Sequence, residues 1–246
     1  MESFLDWYVI SVNLCFVTGL LFFFVLPKEI RKGKYYWIPL AILALTFFYE
    51  NLASYTSFDR EFNARVNAFF GNTENPRFNS WVYNIFNQYI ASVFYLLLIK
   101  SWLPTSKKKY VKWMIYGYLF FILIFLVTWA EPIYLNQPIT FALSANLILI
   151  SCGLYFIGLI TDEKFLNSKP LKLISFWQVT FFMFTYSLTY INWVSMVYLY
   201  EVNPDLGISL MSIDRVMGIF NLLILVLILA VPRLPNLFQK EPYFGT

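Results

Sequence analysis

A chain of 246 residues that is 59% hydrophobic and 22% aromatic, with a net charge of +4 and a mean hydropathy of +0.62, has the composition of an integral membrane protein. The absence of histidine excludes haem ligation, the common zinc sites, a phospho-accepting histidine and any His-based nucleophile or acid–base dyad. The positive charge is what inside loops need against an anionic leaflet, so the lipid bilayer is the expected partner and nucleic acid is not.

A spanning helix needs roughly 20 mostly apolar residues. Seven such spans are predicted in chain order: Phe4 to Leu26, Tyr36 to Tyr55, Trp81 to Trp102, Trp113 to Glu131, Ile139 to Ile160, Leu173 to Tyr200 and Leu210 to Val231. The first has an acidic leading end, with Glu2 and Asp6, and positive charge behind it, which reads as a signal anchor rather than a cleaved peptide. Lys28, Arg31, Lys32 and Lys34 follow span 1; Lys107, Lys108, Lys109 and Lys112 follow span 3; Lys164, Lys169 and Lys172 follow span 5; Arg233 and Lys240 follow span 7. By the positive-inside rule these are cytoplasmic, which puts the N-terminus outside and the C-terminus in the cytoplasm of a bacterial inner membrane. The expected fold is all-α: one polytopic bundle over 1–246.

Within the spans, Cys15 and Cys152 form no CxxC pattern and read as buried apolar thiols. Trp7, Trp37, Trp81, Trp102, Trp113, Trp129 and Trp177 lie near span ends, as an aromatic belt does. Trp193, about two turns inside span 6, is instead a candidate pocket wall. Polar residues are costly in hydrocarbon unless they face protein or water, and here they collect in the outer half. Glu50 and Ser54 come late in span 2, and Asn84, Asn87 and Gln88 come early in span 3. Ser144 and Asn146 open span 5, Tyr186 and Tyr190 fall late in span 6, and Asp214 and Arg215 open span 7. Asn13 and Asn221 reach toward the middle; the inner half is nearly pure Leu, Ile, Phe and Val apart from Gln178. Helical spacing pairs Asn84 with Gln88 and Tyr186 with Tyr190, and it aligns Asp214, Gly218 and Asn221. Two readings stand side by side: an outward-open polar pocket, or interhelical hydrogen-bond packing. Glu50 has the stronger claim to a ligand or proton site, with Arg215 as its candidate counter-charge.

Spans 1 to 3 align without gaps on spans 5 to 7. Gly19, Leu20 and Phe22 fall on Gly153, Leu154 and Phe156; Thr46, Phe47 and Phe48 fall on Thr180, Phe181 and Phe182; Val82, Ile85, Phe86, Asn87 and Ile90 fall on Val216, Ile219, Phe220, Asn221 and Ile224. A duplication of 4–102 as 138–236 around a linker helix 113–131 would be a parallel 3+1+3 fold with Asn87 and Asn221 equivalent. That layout is similar to the sugar-transporting SWEET family, without its PQ-loop signature or its hinge prolines. The stretch LGISLMSIDRVMGIF is loosely similar to the last helix of heterodimeric-type lycopene cyclases, but their paired acidic motifs are missing. Rhodopsins and G-protein-coupled receptors share the seven-span layout. Span 7 has no Schiff-base lysine for retinal, and neither a DRY-like nor an NPxxY motif is present. The runs WVYNIFNQYIASVFY, SCGLYF and KPLKLISFW resemble small seven-helix membrane proteins of Bacteroidota, which look like the membrane-sensing portions of bacterial signalling proteins. This resemblance implies fold and setting and carries no activity.

The expected function is a non-enzymatic inner-membrane receptor, sensor or accessory subunit, with no cofactor. Its candidate ligand residues are Glu50, Asn84, Asn87, Gln88, Asn146, Tyr186, Tyr190, Trp193, Asp214 and Asn221. Output would pass through another membrane or signalling protein. The alternative is a small-solute transporter with a mid-membrane site between the repeats; a lipid- or isoprenoid-modifying enzyme is a distant third.

Overall fold

The computed structural model describes residues 6–31 and 33–243, without the side chains of residues 34, 192–198, 200 and 201. Among the described residues the secondary structure is entirely helical. The main elements are α1 (Trp7–Val25), α2 (Lys34–Phe58), α3 (Arg60–Phe69), α4 (Ser80–Trp102), α5 (Thr105–Thr128), α6 (Pro138–Thr161), α7 (Ile174–Val202) and α8 (Pro204–Ala230). Helices α1, α2, α4, α5, α6 and α8 are long and apolar enough to cross a membrane. By these spans the chain is a multi-pass helical membrane protein. Helix α7, with 29 residues, runs between α6 and α8 in the same bundle.

Local chemistry sets the helix starts. The Asp6 carboxylate accepts the Tyr8 N–H at α1, Asp59 accepts the Phe62 N–H at α3, and Asn203 accepts the Leu206 N–H at α8, where Pro204 takes the first position. Each satisfies a donor that the helix itself leaves orphaned. Two starts lie earlier than the hydropathy pattern suggests. Helix α5 begins at Thr105, directly after Pro104, so that Lys107, Lys108 and Lys109 are helical; α8 begins at Pro204 rather than Leu210. The polar stretch between spans 2 and 3 also contains α3, whose buried residues are the amides Asn63 and Asn67, while its Phe69 is exposed.

Helix α8 packs on α1, α2 and α7, while α4 packs on α2, α5 and α6, and α6 closes the bundle against α7. Gly19 allows the close approach of α1: a Cβ there would sit 2.5 Å from Leu43 Cδ1 and 3.4 Å from Leu229 Cδ1. Leu14, Leu21 and Phe24 of α1 and Phe120, Leu123 and Val127 of α5 are exposed, a surface that water would penalise and hydrocarbon would not. Helices alternate in direction, so the bundle has two ends. One carries α3 and the loop at Glu131. The other carries the lysine-rich turns and the C-terminal segment 234–243, which folds back beneath the helices.

Candidate functional site

A cavity of about 110 Å³ lies toward the α3 end, bounded by α1, α2, α4, α6, α7 and α8. It has room for several waters or for a small molecule in their place. Five of the ten residues picked out from sequence line it: Asn87, Gln88, Tyr186, Asp214 and Asn221. The face shared by Asp214, Gly218 and Asn221 is present as expected, and all three reach the cavity. A Cβ on Gly218 would lie 3.5 Å from the Tyr8 hydroxyl, so the absence of a side chain there leaves room for that ring.

The α4 wall is built by a π-helical segment, Tyr83–Ala91, set between α-helical turns. Its wider turn is closed where the Ser92 N–H donates to the Asn87 carbonyl, five residues back, and the Tyr118 hydroxyl of α5 donates to the Gln88 carbonyl at 2.8 Å. Asn84 and Gln88, paired by their spacing of four, have different surroundings one turn apart. The Asn84 amide donates to the carbonyls of Ile133 (2.8 Å) and Leu135 (2.6 Å), anchoring the loop between α5 and α6. Gln88 is 2% exposed, lines the cavity, and finds no hydrogen-bond partner for either Nε2 or Oε1 among the described residues. A buried amide left in this state costs about 1–3 kcal/mol, and such π-helical stretches are frequent at functional sites. Asn221, by contrast, is fully engaged. Its Nδ2 donates to Thr185 Oγ1 (2.6 Å) and the Met217 carbonyl, and its Oδ1 accepts from Gln178 Nε2 at 3.0 Å. The Asp214 carboxylate accepts from the Thr189 hydroxyl.

Glu50 lies next door rather than inside. It lines a second cavity of about 210 Å³ with Asp6, Ser54, Tyr83 and Arg215, and Tyr8 borders both spaces. Glu50 is 6% exposed and accepts from the Tyr83 hydroxyl at 3.3 Å. Arg215 lines the same space, but its ion pair is with Asp6, at 3.2 Å, and its guanidinium lies 5.7 Å from the centre of the Tyr8 ring. The ion pair of Arg215 is thus with Asp6, the N-terminal cap of α1, and its expected role as the counter-charge of Glu50 is limited to lining the same space.

The other candidates fall elsewhere. Asn146 is exposed on α6 and donates to the Ala142 carbonyl of its own helix. Tyr190 is half-buried outside the cavity lining, and the side chain of Trp193 lies outside the described residues. Asn13 and Asn51 bond each other across α1 and α2, Nδ2 of Asn51 to Oδ1 of Asn13 at 2.7 Å, which is the packing role expected for such amides.

Sequence reasoning missed two polar networks. Glu131 is buried and caps α6 by accepting from the Ile139 N–H, the Thr140 N–H and the Thr140 hydroxyl. The signal for it was an acid a short loop ahead of Pro138. At the opposite end Glu241 of the folded-back segment accepts from the Ser175 N–H (2.9 Å) and hydroxyl (2.7 Å) at the start of α7, and the Ser175 hydroxyl also meets Tyr155 at 2.7 Å. Burial pushes the Glu241 carboxyl up to about 7, opposed in part by these hydrogen bonds. A groove of about 940 Å³ beside it is lined by Tyr36, Trp102, Ile174 and Phe238; among the described residues that line it, none has a buried side-chain atom without a hydrogen-bond partner. Among the described residues no cluster of three or more His, Cys, Asp or Glu is placed to hold a metal ion. Cys15 and Cys152 are free and buried.

Comparison of the chain with family models, with curated proteins and with solved structures finds no match.

Proposed function

We propose that this chain is a non-enzymatic receptor or accessory subunit of a bacterial inner membrane, in which the α3-end cavity binds a small polar ligand from outside and a partner protein carries the output. In this reading α7 is the seventh span, the N-terminus is outside, and the lysine-rich turns and the C-terminal segment face the cytoplasm. The distribution of Lys and Arg supports that orientation, and the resemblance to seven-helix Bacteroidota membrane proteins fits the same setting. The observation that carries the proposal is the unpaired, buried Gln88 amide at a π-helical wall of a polar cavity. Interhelical packing accounts for Asn13, Asn51, Asn84 and Asn221, but it leaves Gln88 without a role. Purification in mild detergent from the native membrane tests the partner half of the claim. A stoichiometric membrane or signalling protein retained with the chain is expected, and recovery of the chain alone would count against an accessory role.

One observation favours a second reading. Asn87 and Asn221, equivalent under the proposed 3+1+3 duplication of 4–102 and 138–236, line the same cavity, as substrate-facing residues of a transporter would. Against it stands the core beyond the cavity, where Leu96, Leu98, Ile99, Leu225 and Leu229 are at most 1% exposed, leaving no wettable route to the other side. Flux of a solute into liposomes by the purified chain would establish the transporter reading.

A further inference from the structure

The chemistry of the cavity limits what it can hold. Among the described residues that line it, Asp214 is the one charged residue, and no Lys or Arg joins it. The neighbouring Arg215 is committed to Asp6 and lies against Tyr8. An anionic ligand would meet a carboxylate and no counter-charge, which low dielectric makes unfavourable. The apolar part of the lining is largely aromatic. Tyr95, Phe182 and Tyr186 form a three-ring cluster with centroids 5.0, 5.9 and 6.3 Å apart, all packed edge to face, and Tyr8, Tyr49 and Phe141 complete the aromatic lining. Aromatic rings with a single carboxylate suit an organic cation, whose charge is attracted to ring faces most strongly when desolvated. The Gln88 amide supplies what neither rings nor carboxylate can: an unpaired donor and an unpaired acceptor, both buried.

We propose that the α3-end cavity is a site for a small organic ammonium ion that carries a hydroxyl or carbonyl group, with Asp214 as the counter-charge, Tyr95, Phe182 and Tyr186 as the aromatic walls, and Gln88 as the hydrogen-bonding partner. The inference rests on the reading of this cavity as a ligand pocket and narrows that reading to a chemical class. An amino alcohol is the simplest member of the class. The ammonium group sits between Asp214 and the rings, and the hydroxyl both donates to Gln88 Oε1 and accepts from Gln88 Nε2. Cavity size sets the upper limit, so amines with long chains or large rings are excluded.

The test is direct binding by the purified full chain in lipid nanodiscs, read by calorimetry or thermal shift, with ethanolamine and choline as probes. The neutral carbon isostere of choline and a small polyol, glycerol, serve as comparisons. Saturable binding of ethanolamine or choline at millimolar concentration or below is expected, with at least tenfold weaker binding of the neutral isostere. Asp214→Asn, which keeps the shape and an acceptor for Thr189, should weaken the ammonium probes at least tenfold and leave the neutral isostere unchanged. Gln88→Leu should weaken ethanolamine by a similar factor and tetramethylammonium, which has no hydroxyl, much less. Equal binding of choline and its isostere, or indifference to Asp214→Asn, would overturn the cation assignment while leaving a pocket for neutral ligands. Glycerol binding that depends on Gln88 but not on Asp214 would do the same and point to polyols. No binding of either ammonium probe would overturn the assignment outright. The wider pocket reading would fall separately, if the Gln88→Cys variant were inaccessible to thiol reagents.

Discussion

The two ends of the bundle solve the same problem, burying side chains in a membrane, in opposite ways. Toward the C-terminal segment the interior is Phe23, Leu43, Leu98, Ile99, Trp102 and Leu229, each at most 2% exposed, and its few polar groups are mostly matched: Glu241 meets Ser175, Ser175 meets Tyr155, and Gln178 Nε2 donates to Asn221, with Gln178 Oε1 left unpaired among the described residues. Toward α3 the interior keeps a cavity lined by amides, hydroxyls and one carboxylate, and it leaves both ends of the Gln88 amide unpaired. A protein that can pack one half to apolar density does not need an unsatisfied amide in the other for stability. On the reading proposed above, the α3 end is the half kept open for a ligand and the opposite half is its scaffold.

The contrast predicts graded responses to substitution. The largest is in the scaffold. Leu98→Ala or Leu229→Ala should each cost about 2–5 kcal/mol, read as a fall in thermal unfolding temperature, and a negligible shift would mean that this half is not close-packed. Next is the docking of the C-terminal segment. Burial raises the Glu241 carboxyl from its usual 4.5 to about 7, so the docked state binds a proton that the released segment does not. Docking is therefore fully supported below about pH 4.5 and is lost as pH rises through about 7, by up to about tenfold per pH unit within that window. Limited proteolysis of the C-terminal segment across that range measures it; Glu241→Gln should flatten the dependence, and a segment released by acid instead would reverse the sign and refute the account.

Asn67→Ala removes an amide that donates to the Asn63, Pro76 and Phe78 carbonyls and an oxygen that accepts from Asn72. A loss of about 1–3 kcal/mol, with faster cleavage between α3 and α4, is expected. Gln88→Leu should run the other way and stabilise the ligand-free chain by about 1 kcal/mol, since it removes an unpaired buried amide; destabilisation would show that Gln88 has a structural partner after all. Asn146→Ala, on an exposed face bonded only to its own helix, should stay within about 0.5 kcal/mol of the parent chain.

Much of this organisation is legible in the residues. Of the seven spans that the hydropathy runs predict, six coincide with helices long and apolar enough to cross a bilayer, and the polar-rich end is visible from Asn87, Gln88, Asp214 and Asn221 alone. What escapes is what depends on departures from α-helical geometry or on distant partners. Spacing of four groups Asn84 with Gln88, yet Asn84 is bonded to the carbonyls of the loop between α5 and α6, and Gln88, one turn on in a π-helical segment, lines a cavity. Charge pairing by proximity in sequence cannot foresee that Arg215 would reach Asp6, 209 positions away, or that Glu241 would return to cap α7. The asymmetry of the bundle is thus written in composition, but which amide is left unpaired depends on its tertiary neighbours.

The most direct test compares the two halves with one chemistry. In a chain with Cys15→Ala and Cys152→Ala, a single cysteine is placed at Gln88 or at Leu229, and intact membranes are treated from outside with small methanethiosulfonates carrying either a trimethylammonium or a sulfonate group. The account predicts modification of Gln88→Cys, faster with the cationic reagent than with the anionic one, and no modification of Leu229→Cys. Protection at both positions, or equal reaction at both, would contradict a water-accessible ligand cavity confined to the α3 end.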